Sequence, residues 1–326
     1  MAISTRLTER LDITHPIISA PMGFVAGGRL AAAVSNAGGL GLIGGGYGDK
    51  TWLEAQFREA GNARIGCGFI TWSLRQQPQL LEIVLAHRPT AVFLSFDDPA
   101  PFGRQVKDAG SILICQVQTR RDAETALDRG ADVVVAEGAE AGGHAGKRAT
   151  MTLVPEVADL IAKRAPQTLL CAAGGIADGR GLAAALMLGA DGVLVGSRFW
   201  ASEEALVHPG LQAAAIAATG DDTVQTSITD IVRHRHWPER FKIRVLRNEF
   251  TDRWHGREDE LRVAADRESP TFTAAMAAGD ARIGTPIIGE AVGLISSVEP
   301  ATVIVERMVA EAEALLKGAG RYVSPV

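Results

Sequence analysis

Short apolar segments alternate with longer amphipathic segments along the first two-thirds of the chain. Each apolar segment spans three to six residues and is bounded by Gly, Pro or Asp, a pattern typical of strands that are buried on both faces. The eight segments comprise residues 16–20, 40–43, 65–70, 91–95, 112–116, 133–136, 169–172 and 193–195. The pattern therefore predicts eight strands.

The stretches between these strands have the apolar spacing of helices that cover a sheet. They comprise residues 28–36, 51–60, 78–87, 121–129, 154–164 and 178–188, with a weaker helical stretch before residue 112. Continuous apolar strands that alternate with helices indicate a parallel sheet covered on both faces. Eight such units favour a (β/α)8 TIM barrel over the alternative, an open doubly wound sheet.

The alternation stops after residue 200. An Ala-rich helix is predicted at 211–219, and the charged segment 231–271 has no clear period. A helix at 301–317 has one apolar face opposed by Glu residues and is expected to pack back on the barrel. We therefore predict a barrel at 1–205, an inserted, mostly helical cap or substrate subdomain at 206–290, and a C-terminal helix within 291–326.

Composition and charge exclude several classes of protein. Apolar residues make up 47% and charged residues 22%, as in globular domains. The net charge of −5 gives no sign of nucleic-acid binding. Three separated cysteines fit a reducing cytoplasm, neither His nor Cys has metal-ligand spacing, and no segment has the pattern of a signal peptide or membrane span. We expect a cytoplasmic protein without a metal, a nucleic-acid partner or a membrane anchor.

Glycine-rich segments follow several predicted strands, where a parallel barrel carries its active site. The loops after strands seven and eight of such barrels commonly bind phosphate through backbone N–H groups. Gly174, Gly175, Gly196 and Ser197 fit this use; the alternative is that the glycines only make tight strand-to-helix turns. Arg198 could pair with the phosphate or form a surface ion pair.

His144 is the one histidine of seven that lies in a glycine-rich loop after a strand, so it is the candidate general base. The nearby Glu137 and Glu140 could orient a ligand hydroxyl or the imidazole, or be merely solvated. Residues 39–44 match G-x-G-x-x-G, but the match runs through a strand instead of opening a helix, so no dinucleotide site is predicted there.

Four ordered motifs resemble those of the nitronate monooxygenase family, formerly called 2-nitropropane dioxygenases. They are Ala-Pro-Met-Gly at 20–23, Glu-Ala-Gly-Gly-His at 140–144, Ala-Gly-Gly-Ile-Ala-Asp-Gly-Arg-Gly at 173–181 and Gly-Ser-Arg-Phe at 196–199. The resemblance covers nearly the whole chain. It implies an FMN-dependent barrel enzyme with the cofactor across the barrel mouth and its phosphate on Gly174, Gly175, Gly196 and Ser197.

The resemblance also implies further flavin contacts and a reaction. The matching flavin-binding positions are Ala20, Pro21, Met22, Gly23, Gly68, Gln116, Glu137, Gly142, Gly143 and Ala173. The family often has Lys at the position of Gln116, so a positive charge near the flavin is missing here. His144 would remove the α-proton of a nitroalkane or assist a nitronate, and reaction with O2 would give a carbonyl compound and nitrite.

The resemblance leaves the substrate open, because segment 233–249 looks like a less characterised branch found in plants and bacteria. Similar flavin barrels oxidise NAD(P)H and reduce quinones or enoyl thioesters. A flavin-binding protein with little turnover is a further alternative, and so is a flavinless phosphate-binding isomerase or aldolase. The last is disfavoured because no lysine ends a strand in a Schiff-base position. The Ala-rich helices are compatible with a homodimer.

Overall fold

Eight parallel strands form a barrel in the computed structural model, which describes residues 3–322. The strands are β1 (Ile17–Ser19), β2 (Leu42–Gly46), β3 (Gly66–Ile70), β4 (Ala91–Ser95), β5 (Ile112–Val117), β6 (Val133–Glu137), β7 (Gly143–Ala145), β8 (Leu169–Ala173), β9 (Gly192–Val195), β10 (Thr223–Thr226) and β11 (Lys242–Leu246). The barrel order is β1-β9-β8-β6-β5-β4-β3-β2. A parallel bridge from Ile18 to Leu40 closes the ring, so the predicted (β/α)8 barrel is confirmed.

Helices follow most barrel strands and cover the outside of the ring. The α-helices are α1 (Arg6–Leu11), α2 (Gly28–Asn36), α3 (Lys50–Ala60), α4 (Thr71–Leu74), α5 (Gln79–Ala86), α6 (Phe102–Asp108), α7 (Arg120–Asp128), α8 (Thr150–Arg164), α9 (Gly179–Met187), α10 (Ser197–Trp200), α11 (Pro209–Ile216), α12 (Ile228–Val232), α13 (Glu249–Trp254), α14 (Glu258–Ala278) and α15 (Ala301–Gly318). Short polar side chains begin several of them: the side chains of Asp49, Thr119 and Asp178 accept hydrogen bonds from first-turn N–H groups.

The strands are apolar throughout because each one packs on two sides. Phe93 and Ile114 lie in the cluster that fills the barrel interior. Their neighbours Val92 and Leu113 lie in the outer cluster, against the helices. Successive side chains of a strand point to opposite faces, so both alternating sets must be apolar. This explains the continuous runs from which the strands were predicted.

The segment that follows the barrel contains more regular structure than its sequence predicted. Strands β7, β10 and β11 form an antiparallel sheet in the order β10-β11-β7, and β7 comes from the loop after β6. Helix α14 is 21 residues long, although the sequence analysis found no period in 231–271. Pro270 lies inside this helix, its seven charged residues are confined to 258–268, and its four buried side chains are unevenly spaced, so they form only a weak pattern.

The final long helix packs on the barrel. Ile304, Val305, Met308 and Val309 of α15 are buried in the outer core, against α9 and α2. None of the helices within residues 3–322 combines the length and apolar character required to cross a membrane.

Candidate active site

A cavity of about 650 Å³ opens at the carboxyl ends of the barrel strands, within the size range of ligand and cofactor pockets. All fifteen residues predicted for the site line this single cavity. They are Ala20, Pro21, Met22, Gly23, Gly68, Gln116, Glu137, Gly142, Gly143, His144, Ala173, Gly174, Gly175, Gly196 and Ser197. Residues of the cap line the opposite side, so the cavity lies between barrel and cap.

Unpaired backbone N–H groups gather at one end of the cavity. The amides of Gly174, Gly175, Ile176 and Gly196 donate no hydrogen bond to an acceptor within residues 3–322. Gly174 and Gly175 have φ values of +96° and +74°, and a Cβ on Gly174 would lie 2.9 Å from the carbonyl oxygen of Gly138. Both glycines are therefore required for this backbone path. Amides left free in this way form a site for an anion such as a phosphate group.

Ser197 joins this anion site to the cap. Its Oγ accepts a hydrogen bond from the backbone N–H of Gly289 at 2.9 Å. The hydroxyl proton of Ser197 is still available to a ligand, because the oxygen acts as the acceptor in this bond. The residues present thus fit a phosphate-bearing cofactor.

Arg198 does not line the cavity. Its guanidinium is buried, where it pairs with Glu299 at 2.8 Å and donates to the backbone oxygen of Ser297, also at 2.8 Å. The sequence left open whether Arg198 pairs with the phosphate or forms a surface ion pair. The structure shows an ion pair, but this pair is buried and does not lie on the surface. Arg198 therefore joins α10 to the segment before α15.

Glu137 ends strand β6 as a buried carboxyl group on the cavity wall. Its Oε2 accepts hydrogen bonds from Nε2 of Gln116 at 2.8 Å and from Nε2 of Gln118 at 3.0 Å. Burial raises the pKa of Glu137 to about 8, although the bond from Gln118 opposes the shift. Glu137 therefore carries its proton at neutral pH and can donate a hydrogen bond into the cavity.

Glu140 has a different role, because its carboxylate accepts from the backbone N–H and the hydroxyl of Thr150. This bond holds the loop between β6 and α8. Neither Glu137 nor Glu140 is hydrogen-bonded to the imidazole of His144, so the predicted alternative of a glutamate orienting that ring is not realised.

His144 lies on β7 and is hydrogen-bonded to a residue that the sequence analysis missed. Its Nε2 is 2.8 Å from Oδ2 of Asp230, on helix α12, and both side chains are buried. The pairing of β11 with β7 places Ile243 opposite His144 and brings the cap against the loop after β6. The two residues are 86 positions apart in the chain, so no local pattern connects them.

Aromatic rings enclose the imidazole of His144. The indole of Trp237 stacks on it with a centroid distance of 3.4 Å and an interplanar angle of 10°, and the ring of Phe96 is steeply inclined to it, with an interplanar angle of 75° and a centroid distance of 6.2 Å. Trp237 is held in turn by the hydrogen bond from its Nε1–H to Oη of Tyr47, at 2.8 Å. Burial lowers the pKa of His144 below its usual range, although Asp230 favours the charged form. The imidazole is therefore neutral at pH 7.

The sequence held one signal for Asp230. It is the only charged residue in the buried segment Ile228–Val232, and a carboxylate in an apolar helix requires a partner. Trp237 lies in the segment 231–271, where the sequence has no clear period that could single it out. Within residues 3–322, no cluster of three or more His, Cys, Asp or Glu side chains is arranged to hold a metal ion.

The comparisons with known proteins agree with the geometry. The family model described as Nitronate monooxygenase matches residues 4–65 and 49–311. A nitronate monooxygenase from Neurospora crassa is 34% identical over an alignment of 345 positions. The alignment covers 92% of this chain and 90% of that protein. FabK from Thermotoga maritima has a TM-score of 0.87 and 32% identity, covering 99% of this chain and 100% of its own.

A structure of nitroalkane oxidase from Streptomyces ansochromogenes has a TM-score of 0.80 and 24% identity over 97% of this chain and 100% of its own, which supports the fold alone. The family match and the curated relative both span most of the sequence, and the enzymes of this family are flavin-dependent oxidoreductases. This chain belongs to the nitronate monooxygenase family.

Proposed function

We propose that this protein uses FMN and O2 to oxidise alkyl nitronates to carbonyl compounds and nitrite, and that His144 is the general base that forms the nitronate when the substrate is a neutral nitroalkane. The observation that carries the proposal is the placement of two features in one cavity. The His144 imidazole, paired with Asp230, lines the same cavity as the free amides of Gly174, Gly175 and Gly196. A base and an anion site thus face one ligand space.

The phosphate of FMN would be held by the free amides and by the hydroxyl of Ser197. The side chains of Gln116 and Glu137 would supply polar contacts for the flavin ring, since both line the cavity. Bound FMN supplies the redox chemistry, by accepting electrons and reacting with O2. The protein contributes binding, orientation and proton transfer.

His144 would accept the α-proton of a neutral nitroalkane. The imidazole can do so at neutral pH because burial keeps its pKa below the usual range, so the ring is unprotonated. A nitronate that is already formed has lost this proton and needs no base. Trp237 and Phe96 exclude water from the two sides of the ring that they cover.

The first experiment is a visible spectrum of the purified protein, followed by anaerobic mixing with propyl-2-nitronate and, separately, with NADH. We expect a flavin spectrum that bleaches with the nitronate alone, and nitrite after oxygen enters. A colourless protein that cannot take up FMN would overturn the cofactor proposal. Bleaching by NADH but not by the nitronate would overturn the oxygenase.

The second candidate is an NAD(P)H-dependent reductase of quinones or enoyl thioesters. The outer wall of the cavity favours it, because Val25, Leu206, Leu211, Met276 and Ile287 provide an apolar lining beyond the barrel rim. Such a lining suits a bulky apolar acceptor. Anaerobic NADH consumption that depends on an added quinone or enoyl thioester would establish this function in place of the first.

A further inference from the structure

We propose that Asp230 is a positioning residue that fixes the tautomer of His144, so that Nδ1 is the atom that takes the substrate proton. The inference rests on the proposed function for the identity of the reaction. The arrangement of the two side chains, however, is a property of this chain and is tested separately below.

The geometry assigns different roles to the two ring nitrogens. Nε2 of His144 lies 2.8 Å from Oδ2 of Asp230, and a carboxylate can only accept, so Nε2 carries the ring proton. Nδ1 then has the lone pair. No group within residues 3–322 is hydrogen-bonded to Nδ1, and His144 lines the cavity. The unshared base is therefore the nitrogen that is left for a ligand.

The carboxylate of Asp230 is itself held in place. Its Oδ1 lies 3.3 Å from Nη2 of Arg233, and Nε of Arg233 donates to the backbone oxygen of Thr229 at 2.8 Å. Helix α12 is buried along its whole length, which fixes the backbone that carries Asp230. An aspartate held in this way can orient an imidazole without rearrangement during reaction.

The ring plane of His144 is fixed as well. Trp237 lies parallel to it at 3.4 Å and is anchored through the bond to Tyr47. A flip of the imidazole that offered Nε2 to the cavity would give up the bond to Asp230. Asp230 and Arg233 are the charged groups that act on His144: the carboxylate favours its protonation and the guanidinium disfavours it.

The proton transfer follows directly from this arrangement. The α-C–H bond of the nitroalkane breaks, its electron pair stays with the substrate as the nitronate, and the proton moves to Nδ1 of His144. The ring becomes an imidazolium whose positive charge lies beside the Asp230 carboxylate, which stabilises it. A substrate that arrives as a nitronate bypasses this step.

The test compares the turnover of 2-nitropropane and of propyl-2-nitronate by the flavin-loaded wild-type enzyme and by the variant Asp230→Asn. The amide of Asn can donate to Nε2 and so favours the tautomer that has its proton on Nδ1. We expect kcat/KM for 2-nitropropane to fall by about 10²-fold or more, the usual contribution of a general base. Turnover of propyl-2-nitronate and FMN binding should be nearly unchanged.

The matched control is Asp266→Asn. Asp266 is fully exposed and its Oδ1 lies 3.7 Å from Nε2 of His234, so the variant removes a carboxylate from a second histidine pair, neither member of which lines the cavity. Neither substrate should be affected. An equal loss of kcat/KM for both substrates in Asp230→Asn would indicate a structural role for Asp230 and overturn the proposal. Unchanged turnover of 2-nitropropane would also overturn it.

Ring ¹⁵N NMR of wild-type protein labelled at histidine tests the tautomer without a variant. We expect the proton on Nε2 and an unprotonated Nδ1 at pH 7, with the His144 signals assigned by comparison with His144→Gln. A proton on Nδ1 would refute the inference even if Asp230→Asn failed to fold. If the wild type oxidises no nitronate, the proposed function fails, and the NMR result still decides the role of Asp230.

Discussion

The buried carboxyl of Glu137 makes the stability of the flavin-free protein depend on pH in a way that one substitution removes. The pKa of Glu137 is about 8 in the folded protein, whereas in the unfolded chain it has the ordinary glutamate value of 4.5. Below pH 4.5 the proton is bound in both states. Between pH 4.5 and 8 the Glu137 carboxyl ionises only in the unfolded chain, so the folded state loses stability as pH rises. Above pH 8 this loss is complete, because the carboxyl is ionised in both states.

The size of this effect follows from the difference in pKa. At 1.36 kcal/mol per unit, the shift corresponds to about 5 kcal/mol between pH 4.5 and 8. The variant Glu137→Gln has nearly the same shape, keeps an oxygen that can accept from Gln116 and Gln118, and never ionises. Its stability relative to wild type should therefore rise by about 5 kcal/mol over this interval.

Thermal unfolding of the two flavin-free proteins at pH 5, 7 and 9 measures the difference. With 326 residues and an unfolding entropy of roughly 2.1 cal/mol/K per residue, 5 kcal/mol corresponds to roughly 7 °C in Tm. The control is Glu9→Gln, which makes the same substitution at an exposed position. Parallel Tm curves for Glu137→Gln and wild type would refute the assignment of a protonated, buried carboxyl group.

Further predictions concern the base, the anion site and the buried ion pair. His144→Ala should lower kcat/KM for 2-nitropropane by about 10²–10⁴-fold with FMN binding retained, and a smaller loss would argue against a general base. Trp237→Ala should uncover the imidazole, raise the pKa of His144 towards its usual value and move the acid limb of the rate–pH profile to higher pH; an unmoved limb would contradict this. Gly174→Ala forces a side chain to φ +96° and should weaken FMN binding in a fluorescence titration by about 1–3 kcal/mol, whereas unchanged affinity would exclude a phosphate contact there. Arg198→Ala should lower the free energy of unfolding by about 2 kcal/mol in denaturant titrations. This loss is smaller than for a buried ion pair whose remaining partner has no other contact, because Glu299 keeps its contact with Arg307. FMN affinity should stay the same in that variant, and a large loss would restore Arg198 as a phosphate ligand.

The sequence by itself determined the barrel and one wall of the site. Strands that pack on both faces are apolar on both faces. Val92 and Phe93 are therefore both apolar and form a recognisable run, although Val92 faces the helices and Phe93 faces the barrel interior. The loops after those strands all meet at one end of a parallel barrel. Local motifs such as the glycines at 174–175 and the histidine at 144 could therefore be placed in one site without knowing any tertiary contact.

The tertiary structure decided the partners of those residues. Asp230 and Trp237 reach His144 from the cap, 86 and 93 positions later in the chain, so no local pattern connects either residue with His144. Likewise, Arg198 follows the phosphate loop in sequence, but its side chain turns away to Glu299, 101 positions later. Periodicity records which face of an element is buried, whereas the choice between distant partners depends on how separate elements pack, and that information is absent from any short segment.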